Sequence, residues 1–175
     1  MKRRQLLLGI AGVTLTGGSA WVATQGLSAG SGLPIQIETM EAPGSNEGSI
    51  RVPVKDTVTV IDLFATWCTP CKAQMDVLAP VHAAYADNPN VAFVSVTNER
   101  IGGTLTRADI REWWRQNDGH WTLGLDPDSS LMSMLKANGL PYIAIAAADG
   151  TITWHHGGIT NANTLRSEIE AALDR

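Results

Sequence analysis

Apolar positions along the chain fall into short blocks separated by turn-forming residues. Residues 57–64 form the strongest block, β-branched and apolar with almost no alternation. That predicts a central strand buried on both faces. Residues 91–96 repeat the pattern. Residues 34–38 alternate and predict a short edge strand, and residues 50–54 a second one, confined to an edge by Pro53. Residues 43–48 lie between them as a loop.

Helical spacing starts at Pro70 and runs to about Tyr85, with Ala73, Val77, Leu78 and Val81 on one face. Pro70 suits a first turn, whereas Pro80 predicts a kink or break. Thr106 is a cap for a helix reaching about Gln116, with Ile110, Trp113 and Trp114 inward. Residues 121–125 predict a short strand, Asp126-Pro127-Asp128 a turn, and residues 129–137 a helix ended by Asn138-Gly139. Two strands, 142–147 and 151–155, are joined by a tight turn at Asp149-Gly150. An amphipathic helix over 163–173 closes the chain. The order β-α-β-α-β-α-β-β-α predicts an α/β fold: a mixed central sheet with helices on both faces.

The N-terminal third changes the picture. Residues 1–23 combine a basic start, Lys2-Arg3-Arg4, with an apolar stretch from Leu6. Arg3-Arg4-Gln5-Leu6-Leu7 resembles a twin-arginine export signal. An ordinary secretion signal or a retained N-terminal anchor is the competing reading, and the apolar length is near the minimum for a span. Residues 24–33, rich in Gly and Ser, predict a linker, leaving 34–175 as the folded domain. Both leader readings place that domain outside the cytoplasm, where disulfides persist. The formal net charge is -4, and losing the three leader cations takes the remainder to about -7. Such an acidic body excludes nucleic acid as a partner, which needs a basic stripe.

Chemistry concentrates where the strongest strand runs into the first helix. Cys68 and Cys71 are the only two cysteines. At a helix N-terminus, free amide N–H groups and the helix dipole favour a thiolate, the reactive species. Cys68 is the candidate nucleophile, expected to be exposed, and Cys71, one turn later, the resolving thiol. A purely structural disulfide competes, but a C-x-x-C loop closes too little chain to be a good staple. Asp62 lies six residues before Cys68 on the same strand, so it is a candidate buried base for Cys71, against a plain structural acid. His155-His156 is the one tempting metal feature, yet adjacent strand residues point to opposite faces.

Trp67-Cys68-Thr69-Pro70-Cys71-Lys72 after Asp62-Leu63-Phe64-Ala65 resembles the active site of the thioredoxin fold. Gly139-Leu140-Pro141 before a hairpin resembles that fold's cis-proline loop, and Gly157-Gly158 its following glycine pair. With the leader, the N-terminal hairpin and a helix–strand insertion between about Asn98 and Asp126, the chain resembles the exported TlpA/ResA-like branch. Leu140, Tyr142, Asp62 and the distance of Pro80 from Cys71 depart from that branch's usual pattern.

The resemblance implies a thiol–disulfide oxidoreductase with a Cys68–Cys71 dithiol/disulfide cycle and no cofactor or metal. It implies a cis bond at Pro141 and a substrate surface of Trp67, Thr69, Pro70, Leu140 and Pro141. It implies that Glu99 is an acid near the cysteines, against an exposed carboxylate paired with Arg100. The implied partners are disulfide-containing exported proteins, with cytochrome c assembly as one destination, and a membrane electron donor. A metallochaperone using Cys68, Cys71 and a histidine or Met75 is the alternative. A peroxidase reading lacks the Thr-x-x-Cys pattern.

Overall fold

The computed structural model describes residues 32–175. The export segment and most of the linker expected from the sequence lie outside these residues. Among the described residues, seven strands form one sheet in the order β2-β1-β5-β4-β3-β6-β7. Strand β1 is Ile35–Thr39, β2 Gly48–Val52, β3 Val58–Phe64, β4 Val91–Thr97, β5 Thr122–Leu125, β6 Tyr142–Ala146 and β7 Ile152–Gly157. Strands β3, β4 and β5 are parallel neighbours, while β6 pairs antiparallel with β3 and with β7. The sheet is mixed, as the sequence predicts.

Strand β1 is not an edge. It pairs with β2 through five residues and, on its other side, with β5 at Glu38 and Thr39. The edge is β2, where Pro53 follows the last paired residue and removes no ladder donor.

Among the described residues the helices are α1 (Thr69–Tyr85), α2 (Arg107–Gln116), α3 (Ser130–Met134) and α4 (Ala162–Leu173). Helix α1 continues through Pro80, where a kink or break was expected, so the helix is not broken there. Pro80 and Asp76, whose carbonyl loses its donor, are both exposed, so the missing bond falls on the solvent side of the helix, while Leu78 and Val81 stay anchored in the core. The buried face of α1 is Cys71, Gln74, Met75, Leu78 and Val81, with the expected Ala73 and Val77 only half-buried. Helix α2 starts as predicted, with a reciprocal Thr106–Asp109 capping box. Helix α3 is shorter than expected. It ends at Met134, with Leu135 as C-cap, and Lys136 already takes the left-handed conformation (φ 54°) before Gly139 is reached.

Alternation along the strands sorts the core into two layers. Val58, Val60 and Phe64 of β3 join α1, α2 and α4 on one face. Ile61 and Leu63 join Val94, Val96, Ala144 and the α3 residues Leu131 and Leu135 on the other. No helix among the described residues is long and apolar enough to cross a membrane.

Candidate active site

Strand β3 ends at Phe64, and a short loop, residues 65–68, carries the chain into α1. Cys68 is the N-cap of that helix, in extended conformation, with Pro70 in the first turn. Its Sγ accepts a hydrogen bond from the backbone N–H of Cys71 at 3.2 Å. The backbone carbonyl of Cys68 also accepts from Cys71, at 3.0 Å. Cys68 and Cys71 form a disulfide, with Cα atoms 5.3 Å apart. A sulfur held at the helix N-terminus against an amide donor occupies the place where a thiolate is favoured.

Cys68 is only 4% exposed, against the expected exposed nucleophile, and Cys71 is 1% exposed. In the disulfide, the sulfur of Cys68 is turned onto the first helical turn and packs with the α1 core cluster. Exposure belongs to its neighbours. Trp67 is 73% exposed, and Thr69 and Pro70 are exposed too.

Pro141 enters β6, whose Tyr142 pairs with Leu63 near the end of β3. The proline and the cysteine loop therefore share one end of the sheet. The Leu140–Pro141 bond is cis; Leu33–Pro34 and Val52–Pro53, not anticipated from the sequence, are cis as well. Pro141 is buried and Leu140 half-buried. The carbonyl of Pro141 accepts from the N–H of Gly158 at 2.8 Å.

Glu99 is not paired with Arg100. Its carboxylate accepts from the backbone N–H and the hydroxyl of Thr66, both at 2.7 Å, and from the Thr97 hydroxyl at 3.0 Å. Thr66 stands two residues before Cys68, so the carboxylate clamps the loop that delivers the cysteine. Arg100 turns instead to Asp128 and to the carbonyl of Pro127.

Asp62 is 2% exposed and sits opposite Ser95 of β4. As an even-numbered residue of β3, it lies on the sheet face that carries both cysteines. Its Oδ2 accepts from the Ser95 hydroxyl at 2.8 Å. Burial pushes its carboxyl up from 3.8 to about 7, against a smaller lowering by Ser95.

Gln74 was not singled out from the sequence. One turn beyond Cys71 and 1% exposed, it accepts on Oε1 from the N–H of Thr160 at 2.9 Å. It thereby ties the cysteine helix to the segment that holds Pro141. Its signal in the sequence was the i+3 spacing from Cys71.

Of the ligands in the metallochaperone alternative, Met75 lies in the same buried cluster as Cys68 and Cys71, while the two strand histidines are engaged elsewhere. Met75 is buried in the core, His155 stacks on Tyr142, and His156 stacks on Trp154. Among the described residues, no group of three or more His, Cys, Asp or Glu is placed to hold a metal ion.

The model of the Redoxin family matches residues 32–173. The chain belongs to the Redoxin family. A relative, the thiol:disulfide interchange protein CycY of Rhizobium leguminosarum bv. viciae, is 21% identical over 122 residues. That match covers 70% of this chain and 61% of CycY, so the chain spans less than two thirds of that relative.

Solved structures agree on a thioredoxin-like fold for this redoxin. One is a secreted Mycobacterium tuberculosis disulfide oxidoreductase homologous to E. coli DsbE. It has a TM-score of 0.63 and 18% identity, covering 79% of this chain and 96% of that one. Another is the exposed lipoprotein thioredoxin Etrx1 of Streptococcus pneumoniae. It has a TM-score of 0.62 and 16% identity, covering 79% of this chain and 99% of that one.

Proposed function

We propose that this redoxin is an exported thiol–disulfide oxidoreductase that reduces disulfides in other exported proteins. The observation that carries the reading is the Cys68–Cys71 disulfide at the N-cap of α1, at the sheet end that also holds Pro141. Membership of the Redoxin family and the likeness to CycY support it.

In the cycle, the Cys68 thiolate attacks one sulfur of a partner disulfide. A Cys68–partner bond forms, and the other partner sulfur leaves as a thiolate. Cys71 then gives its proton to Asp62 and attacks Cys68 Sγ. The second partner sulfur leaves, two electrons have passed to the partner, and Cys68–Cys71 is a disulfide. A thiol-bearing membrane donor returns the electrons, because an oxidising exterior supplies none. Cysteine pairs of cytochromes c awaiting haem are one destination consistent with the chemistry.

Asp62 suits the base role because a carboxyl near pH 7 both accepts and returns a proton. Glu99 acts as a positioning residue, holding Thr66 and so the approach to Cys68. Trp67, Thr69, Pro70, Leu140 and Pro141 form the partner surface. Export rests on the leader pattern in residues 1–23, and on the description of the similar M. tuberculosis protein as secreted.

Trapping tests the reading. Cys71→Ser, expressed in the native host, should accumulate a mixed disulfide through Cys68 with an exported protein. Tight stoichiometric Cu(I) binding by the reduced wild type, with no disulfide exchange, would replace it by the chaperone reading.

A further inference from the structure

The polar groups buried beneath the disulfide form a chain with a direction. The Trp121 indole Nε1–H donates to Ser95 Oγ at 2.9 Å, and the Ser95 hydroxyl donates to Asp62 Oδ2 at 2.8 Å. An indole N–H can only donate, so Ser95 must accept there, and its single proton is left for Asp62. Asp62 Oδ1 is buried and has no hydrogen-bond partner. All three side chains are nearly inaccessible, with Trp121 at 4%, Ser95 at 0% and Asp62 at 2% exposure.

From this geometry we propose that Trp121 and Ser95 are positioning residues: a one-way hydrogen-bond relay that keeps Oδ2 of Asp62 an acceptor and assigns its exchangeable proton to Oδ1. The consequence for turnover rests on the base role given to Asp62 above; the relay itself does not. An oxygen already receiving a hydroxyl proton is the less basic of the two. Oδ1, with both acceptor sites unused, takes the proton that leaves Cys71. Register supports the assignment, because Asp62 and Ser95 are directly paired across β3 and β4. The hydrogen bond therefore sits on two ladder positions and not on mobile loops. Trp121 is fixed in turn by edge contact with Trp114, centroids 4.9 Å apart, and by His82 at the same distance.

Other groups on this face do not set the carboxyl. Helix α1 brings Lys72 and Asp76, both exposed, the half-buried His82, and the half-buried Tyr85, whose hydroxyl donates to Glu170. Helix α4 brings Arg166 and Glu170, both exposed, and the half-buried Glu168. The ionisable side chains of α2 are exposed or half-buried. Strand β4 brings no ionisable side chain, and Tyr142 of β6 gives its hydroxyl to the Leu135 carbonyl on the opposite layer. Burial and the Ser95 hydroxyl are the two influences on Asp62.

The test follows Asp62 directly by carboxyl ¹³C NMR in the oxidised full-length protein, where neither cysteine titrates. Ser95→Ala removes the donor to the ionised form, so the Asp62 midpoint should rise by about one pH unit, a tenfold gain in proton affinity. Trp121→Phe frees Ser95 Oγ to accept from a protonated Asp62, so the midpoint should rise there too. Ser95→Thr keeps a hydroxyl and should restore the wild-type midpoint. An Asp62 midpoint that Ser95→Ala leaves unchanged overturns the relay.

A measurement on the wild type guards against variants that fail to fold. The ¹⁵N and ¹H shifts of the Trp121 indole should titrate with the midpoint of Asp62, because Ser95 links them. An indole signal that stays flat across that range overturns the relay as well. The pH profile of the Cys71-dependent release step separates the two claims. If the Asp62 midpoint moves in Ser95→Ala and the profile does not, the relay stands and the base role falls.

Discussion

On one face of β3, Ile61 and Leu63 pack into a layer built from aliphatic side chains and Tyr142. The hydroxyl of that tyrosine is satisfied by the Leu135 carbonyl at 3.0 Å. On the other face, one residue away, Asp62 shares its layer with Gln74, Ser95 and the two cysteines. Asp62 Oδ1 and Gln74 Nε2 are the buried side-chain polar atoms left without partners among the described residues. An unmade buried hydrogen bond costs about 1–3 kcal/mol. The same strand thus has one face arranged for stability and one that gives some of it up beside the disulfide. Polar atoms without partners are tolerable where the chemistry changes what needs a partner: a thiol, a thiolate or a transferred proton.

The largest expected effect lies at the disulfide itself. Cys68→Ser should abolish turnover of a model protein disulfide, read by insulin reduction with a chemical thiol donor. Full activity in that variant would remove the functional meaning of the polar face.

Next in size are substitutions at adjacent positions of β3. Asp62 has its carboxyl raised from 3.8 to about 7, so its contribution to stability is fully present below pH 3.8 and is lost as pH rises through 7. Above that, keeping the carboxylate buried costs on the order of 4 kcal/mol. Asp62→Asn should therefore be the more stable protein at pH 8, and the difference should shrink towards pH 4. Ile61→Ala, from a fully buried site on the apolar face, should cost about 3 kcal/mol by the same amount at both pH values. Urea unfolding of the oxidised proteins at pH 4.5 and 8 compares them. A pH-independent difference for Asp62→Asn would erase the contrast between the faces.

Much of this arrangement is legible in the sequence, and the illegible parts share a cause. The runs at 57–64 and 91–96 announce buried strands because both faces are covered. The cysteines and the Thr106 cap are local, so their spacing suffices. Gln74 is missed because a polar side chain in a helical pattern looks like surface until the Thr160 N–H appears 86 residues away. Glu99 finds Thr66 across 33 residues, while its sequence neighbour Arg100 looks the natural partner. Strand β1 reads as an edge because its second partner, β5, lies beyond two helices in the chain. Cys68 is buried in the disulfide-bonded state, which spacing permits but does not dictate. The misses at Gln74, Glu99 and β1 are long-range pairings, whereas that at Cys68 is a local bond whose closure the spacing leaves open.

A smaller effect is expected at the clamp. Glu99→Ala leaves the N–H and hydroxyl of Thr66 without their acceptor, which should cost about 2 kcal/mol. Loosening the loop before Cys68 should lower kcat/KM for disulfide reduction about tenfold through misplacement of the nucleophile. Glu99→Gln keeps one acceptor oxygen and should recover part of both. A Glu99→Ala variant with unchanged kcat/KM would make the clamp a stability device alone.

Arg100 gives the smallest effect, and it tests whether the clamp belongs to Glu99 by itself. Its guanidinium pairs with Asp128 at 3.2 Å, with both side chains more than three quarters exposed. An exposed pair of this kind contributes between nothing and about 1 kcal/mol, because water screens the charges and two long side chains must be ordered. Arg100→Ala should therefore leave stability within about 0.5 kcal/mol of wild type and kcat/KM unchanged. Adding 0.5 M salt should remove what difference there is, since the Debye length falls to roughly 4 Å. A loss of activity in Arg100→Ala comparable to that in Glu99→Ala would mean that the arginine governs the carboxylate after all. The polar network at the cysteine loop would then extend to the exposed turn at Pro127 and Asp128.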